Sequence, residues 1–325
     1  MNILINCNLH EFILKKKILG GIETLCLGLH NFLKSNGYNV YFTSKSKKRH
    51  VTNKINFLPI KKINKEIIFN TIISANDSKI FNYFPNSKKI LWLHNPLQIE
   101  KAIRKKQIIS ILKNKIVAVF VSKYLNNKTS IFYNFKTRTV IPNFLDKKFE
   151  NQKIQHKRKP WIIWAVSREK GLMETINIWK DIVNLNPKMQ FHIFGIKKKI
   201  NIKNLKKYNI YFHNRVSKKI LIKYYKQSLA SLCLGYDETF CLNAIESMSC
   251  GAPVLSFKMT ALNKLIKNNV NGYKVDNFEK IYKKIIFIMN MSYTKRSILI
   301  DKTYSYSKKY YFDKIKSKWM RLIAK

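Results

Sequence analysis

Carboxylates are scarce in this chain, 17 Asp and Glu against 63 Lys and Arg, yet Asp237, Glu238 and Glu246 crowd into one short stretch. They stand in Gly235-Tyr236-Asp237-Glu238-Thr239-Phe240-Cys241-Leu242-Asn243-Ala244-Ile245-Glu246, after an apolar run and ahead of Gly251-Ala252-Pro253. An apolar run, a polar turn, a helical period and a Gly-x-Pro stop read as a strand entering a helix. On that helix Cys241, Ile245 and Met248 share one face, while Thr239, Asn243 and Glu246 share another. One face packs and the other presents polar groups. The helix N-terminus, with Thr239 and Phe240 supplying its open amides, suits a diphosphate. The plainer alternative is a solvated helix whose glutamates only favour its first turns.

Such a turn needs a sheet behind it, and the rest of the chain supplies the pattern. Short apolar runs alternate with helical-period segments, the signature of parallel sheets covered on both faces. Strands are expected at residues 2–7, 39–43, 89–93, 116–121 and 139–141, then at 161–166, 190–196, 210–213, 230–234 and 253–257. Between the first two, Ile22, Leu25, Cys26, Leu29, Phe32 and Leu33 recur at helical spacing and stop at Asn36-Gly37. The charged stretch 147–160 reads as a linker. The expectation is an α/β protein with one parallel-sheet domain over 1–150 and a second over 151–303. Residues 304–325 are expected to form a terminal helix packing back on the first domain.

With these residues in view, the sequence resembles the retaining glycosyltransferases of family 4, also called glycosyltransferase group 1. Their fold is GT-B, two Rossmann-like parallel-sheet domains facing across a cleft. The family's mark, two glutamates with seven residues between them at a strand-to-helix turn, matches ETFCLNAIESMSCGAPV over 238–254. The resemblance implies that Glu246 holds the ribose hydroxyls of a nucleotide sugar and that catalytic Glu238 lies beside the transferred sugar. Gly20-Gly21-Ile22-Glu23 matches a glycine-rich loop approaching the donor phosphates and the acceptor, Trp92-Leu93-His94-Asn95 the catalytic histidine segment, and Ile141-Pro142-Asn143 the close of the first domain.

Lys170-Gly171 resembles the family's diphosphate-binding pair. The family's upstream Gly-Arg is absent from Ser167-Arg168-Glu169-Lys170, so Arg168 is assigned in its place. His213-Asn214-Arg215-Val216 stands where the family's turn meets the nucleobase, which places Val216 with Thr239, Phe240 and Asn243 among the donor contacts. The implied reaction moves a hexose from a UDP, GDP or ADP sugar to a glycan or lipid-linked acceptor, in bacterial cell-surface polysaccharide or lipopolysaccharide synthesis.

Composition bounds the other readings. The 325 residues suit two domains, and 46% hydrophobic with 13% aromatic residues rules out intrinsic disorder. A formal charge of +46 attracts phosphate-bearing partners, although heavy use of Lys, Ile and Asn also reads as codon bias in an AT-rich genome. Five cysteines in apolar segments without C-x-x-C spacing point to a reducing, cytoplasmic compartment. Neither a signal peptide nor a membrane span is expected. Segments 12–19 and 99–115 mix apolar and basic side chains, so peripheral attachment to an anionic leaflet is expected.

No G-x-G-x-x-G follows the first strand, and no nucleotide-triphosphate loop, D-x-D, H-E-x-x-H or Cys/His cluster occurs, so neither a metal nor another cofactor is expected. Two alternatives stay open. One is a GT-B-fold nucleotide-sugar epimerase or inactive sugar-binding relative. The other is a basic nucleic-acid-binding protein, for which the Glu238 and Glu246 pair would have no purpose.

Overall fold

The computed structural model describes residues 1–9, 18–46, 48–60, 67–166, 171–196 and 205–324. The chain forms two compact units, one of Met1–Phe144 with Ile315–Lys325 and one of Leu145–Lys314.

The first unit runs β1 (Asn2–Asn6), α1 (Gly21–Ser35), β2 (Asn39–Ser44), β3 (His50–Thr52), β4 (Ile55–Pro59), β5 (Thr71–Ala75), β6 (Lys88–Leu93), α2 (Ile99–Arg104), α3 (Ile108–Lys113), β7 (Ile116–Phe120), α4 (Lys123–Lys128) and β8 (Thr137–Val140). Its sheet has the order β3-β4-β2-β1-β5-β6-β7-β8, and every pairing is parallel except the β3–β4 hairpin. The central strands are apolar on both faces, as a parallel sheet sandwiched by helices requires: Ile3, Leu4 and Ile5 are wholly buried. On α1, Leu25, Cys26, Leu29 and Leu33 form the inward stripe, with Glu23 in the first turn and Lys34 in the last to suit the helix dipole.

The second unit runs β9 (Trp161–Trp164), α5 (Leu172–Leu185), β10 (Gln190–Phe194), β11 (Ile210–His213), α6 (Lys218–Gln227), β12 (Ala230–Cys233), α7 (Leu242–Ser249), β13 (Val254–Phe257), α8 (Leu262–Leu265), β14 (Gly272–Val275), α9 (Phe278–Met289) and α10 (Tyr293–Ser307). Its sheet is parallel throughout, in the order β11-β10-β9-β12-β13-β14, the doubly wound arrangement of nucleotide-binding folds. The last helix, α11 (Phe312–Ala324), places Trp319 in the first unit, fully buried and edge-on to Trp92 of β6 at 4.7 Å.

Three differences from the sequence reading have physical causes. Strands β3, β4 and β5 are additions to it: β3 and β4 meet at Asn53 and Lys54, a tight hairpin at positive φ, 52° and 62°, with no glycine to announce it, whereas β5 is a buried apolar run that the sequence reading passes over. Strand β14 opens on a glycine and holds a lysine, which hides it. The stretch 147–160 is not a linker, because it belongs to the second unit, where Arg158 donates to the carbonyls of Tyr225, Lys226 and Cys250.

Candidate active site

In the second unit the strand order reverses between β9 and β12, so the loops leaving their carboxyl ends diverge and open a crevice. The singled-out carboxylates sit on the β12 side of it. Glu238 is half-buried and folds back over Gly235: a Cβ there would stand 2.9 Å from Glu238 Cγ and 3.0 Å from Oε1. Only a glycine leaves that space. The Glu238 carbonyl accepts from the Ala261 amide at 3.1 Å, which ties the loop to the turn after β13.

The helix begins later than its sequence suggests. Cys241 takes the left-handed conformation, φ 71°, and α7 starts at Leu242. Contact with the Cys233 thiol and burial both push the Cys241 thiol up, which places this side chain against the carboxyl end of β12. Thr239 and Phe240 therefore lie in the loop and not in the first helical turn. Phe240 is buried edge-on to Tyr310 at 5.7 Å. The helix's leading amides belong to Leu242 and Asn243.

Asn243 and Glu246 do share a face of α7. Asn243 Nδ2 donates to the Ala165 carbonyl at 2.7 Å, which fastens the helix to the end of β9. Beyond Ala165 and Val166 the assigned Arg168 and Lys170 lie outside the described residues. Gly171 caps α5 at φ 84°, and a Cβ on it would meet the Leu234 carbonyl at 3.6 Å, so the start of α5 lies against the end of β12.

Glu246 is buried, 8% exposed. Burial pushes its carboxyl up, Lys218 pulls it down and Asp146 adds to the rise. Lys218 Nζ stands 3.8 Å from Glu246 Oε1 and 3.0 Å from Asp146 Oδ2. The sequence reading names neither Lys218 nor Asp146. Asp146 is visible three residues past the quoted Ile141-Pro142-Asn143, but nothing marks Lys218 among the chain's many lysines. Val216 is half-buried two residues before Lys218. Just upstream, His213 at the end of β11 hydrogen-bonds His192 at 3.0 Å and stacks on Phe194 at 4.4 Å, and burial lowers its imidazole.

The first unit holds the remaining candidates. Gly20 is the extended N-cap of α1, and Gly21 is its first residue. His94 follows β6, and the amides of His94 and Asn95 both donate to Asn76 Oδ1, at 2.8 and 3.1 Å. Burial lowers the His94 imidazole to about 3, so at neutral pH it is an uncharged ring, 4.6 Å from Trp92. Ile141 and Asn143 are buried. Among the described residues no group of His, Cys, Asp and Glu could hold a metal ion, and no helix is long and apolar enough to cross a membrane.

Comparison with known proteins agrees with this geometry. Residues 146–306 match the family model described as glycosyl transferases group 1. No curated protein matches the chain. Among solved structures it is similar to sucrose-phosphate synthase from Thermosynechococcus elongatus, with a TM-score of 0.74 and 14% identity over 99% of this chain and 98% of that one. WaaG, a glycosyltransferase involved in lipopolysaccharide biosynthesis, gives a TM-score of 0.72 and 11% identity over 99% of both chains. A mutant of S. aureus TarM, solved with fondaparinux, alpha-GlcNAc-glycerol and UDP, gives 0.65 and 19% identity over 84% of this chain and 60% of that one. The chain thus has the GT-B glycosyltransferase fold and carries, over residues 146–306, a domain of the glycosyl transferases group 1 family.

Proposed function

We propose that this chain is a retaining, metal-independent hexosyltransferase of family 4. It moves a sugar from a UDP, GDP or ADP sugar to a glycan or lipid-linked acceptor in bacterial cell-surface polysaccharide or lipopolysaccharide synthesis. One observation carries the reading: Glu238 stands on the loop that leaves the carboxyl end of β12 and Glu246 on the helix that loop enters, beside the strand reversal where such sheets bind nucleotides.

In this reading the Glu246 carboxylate accepts from the ribose hydroxyls and Glu238 orients the hexose. The anomeric C–O bond to the diphosphate breaks, and the bond to the acceptor oxygen forms on the same face. The acceptor's proton passes to the leaving phosphate oxygen. Stabilising that leaving group is the largest electrostatic task, and the resemblance gives it to Arg168 and Lys170. Neutral His94 can hydrogen-bond a substrate hydroxyl without adding charge to the site.

Exposed side chains of the first unit support a place of work at a membrane surface. Ile99, Ile103, Ile109, Leu112, Ile131 and Phe132 are 44 to 81% exposed among the lysines of α2 and α3. α2 packs on α3, and α3 packs on the turn Ile131–Tyr133, so these apolar side chains belong to adjoining elements. Apolar groups ringed by lysines suit the anionic inner leaflet, where a lipid-linked acceptor is held. Vesicle sedimentation with equal binding to neutral and anionic lipid would remove this part of the proposal.

Thermal unfolding with UDP, GDP and ADP in turn tests the donor site. A nucleotide at a hundred times its dissociation constant adds about 2.7 kcal/mol. A shift with one of them, abolished in Glu246→Ala, is the expected result. No shift with any of the three overturns the reading.

A further inference from the structure

The charges around Glu246 carry an assignment that deepens the donor-site reading and rests on it. One ammonium serves two carboxylates: Lys218 Nζ is 3.0 Å from Asp146 Oδ2 and 3.8 Å from Glu246 Oε1. The three side chains are 20, 21 and 10% exposed, so water screens them only in part. The two distances differ in kind. At 3.0 Å Lys218 donates a hydrogen bond to Asp146. At 3.8 Å it acts on Glu246 through charge and leaves that carboxylate's lone pairs open. We infer that Lys218 is a positioning residue that keeps Glu246 ionised as an acceptor for a ribose diol, and that Asp146 meters this effect by holding Lys218 toward itself.

A cis-diol offers two O–H donors, and only an ionised carboxylate can accept both without giving up a lone pair to its own proton. Burial alone drives Glu246 toward the neutral acid, the form a diol binds poorly. Lys218 opposes that drive from the first turn of α6. Asp146 is itself anchored, because its Oδ1 accepts from the Lys148 amide at 2.8 Å and caps the turn Lys147–Phe149. The other titratable groups facing Glu246 are the Tyr225 hydroxyl on α6 and the Cys250 thiol after α7, both pushed up by burial and neutral at working pH. On the remaining elements against α7, Cys233 of β12 faces Cys241, Arg158 and Lys226 face Cys250, and Arg296 of α10 faces Arg158, so the charges acting on Glu246 are those of Lys218 and Asp146.

The test measures dissociation constants of UDP, GDP and ADP by calorimetry between pH 5 and pH 8, for the wild type, Lys218→Met, Lys218→Arg and Asp146→Asn. Wild-type affinity is expected to fall on acidification as Glu246 takes up a proton. In Lys218→Met the fall begins at higher pH, and affinity at neutral pH drops about tenfold, the cost of one charge-assisted hydrogen bond. Asp146→Asn keeps the cap oxygen but releases the ammonium to Glu246, so the fall moves to lower pH. Lys218→Arg restores the wild-type profile. A Lys218 that only stabilises the fold would weaken binding equally at every pH, and such parallel curves overturn the assignment. So does a shift of Asp146→Asn in the same direction as Lys218→Met. A wild type that binds none of the three nucleotides overturns the donor-site reading itself, which distinguishes the two failures.

Discussion

Asn243 donates its side-chain amide to the main-chain carbonyl of Ala165 at 2.7 Å, a bond between residues far apart in sequence. It joins the helix that carries Glu246 to the end of β9, on the opposite side of the strand reversal. Asn243→Ala leaves that carbonyl without its side-chain donor and is expected to cost about 1 kcal/mol in urea unfolding. It should also weaken nucleotide binding, because the end of β9 at Ala165 is no longer held to α7. Unchanged affinity in the destabilised variant would show that the bond serves the fold alone.

Glu246 should make the protein less stable as pH rises. Its carboxyl in the folded chain is raised above the ordinary 4.5 by burial. The stability it contributes is complete below the unfolded value and is lost as pH rises through the folded one. Glu246→Gln fixes the neutral form and leaves Lys218 to Asp146. Its melting temperature is expected to exceed the wild type's at pH 8 and to match it near pH 4, while nucleotide no longer shifts it. A variant less stable than the wild type at pH 8 would contradict the burial argument.

Acid should act through the imidazoles. His94 and His192 are both lowered by burial from 6.5 to about 3. Each contributes stability that is present above the unfolded value and is lost as pH falls from 6.5 toward 3, at about 1.4 kcal/mol per pH unit. Denaturation midpoints at pH 7, 6 and 5 should decline accordingly. His94→Asn should remove one histidine's share of that slope, and an unchanged slope would show that His94 gains its proton without opening the fold.

Gly272 is the least replaceable residue of the second sheet. It sits at φ 147°, and a Cβ there would stand 1.9 Å from the Val254 carbonyl oxygen. Gly272→Ala must push β14 off β13 and is expected to cost more than about 4 kcal/mol, at the severe end of single substitutions. Soluble expression with a near-wild-type urea midpoint would show that the sheet can yield there.

What is legible in the sequence divides along physical lines. Strands such as β1, β7 and β9 are short apolar runs buried on both faces, and such runs announce themselves. The hairpin of β3 and β4 turns on Asn53 and Lys54, and β14 is four residues opening on Gly272, so neither has a composition that sets it apart. At the site, Glu238, Asn243 and Glu246 stand out because carboxylates are rare here and the helical period is clean. The start of α7 is displaced from its expected place because Cys241 takes the left-handed conformation, which non-glycine residues rarely adopt and no local pattern encodes. Lys218 is invisible for the opposite reason to the glutamates, being one lysine in a lysine-rich chain.

The return of the last residues to the first unit has a consequence for synthesis. Residues Leu145–Lys314 are one unbroken segment and can close their sheet as soon as they leave the ribosome. The first unit cannot, because Trp92 of β6 waits for Trp319, which is made only after the whole of the second unit. The unit made first is therefore finished last. A nascent chain carries an incomplete core around Trp92 for as long as the second unit is being made.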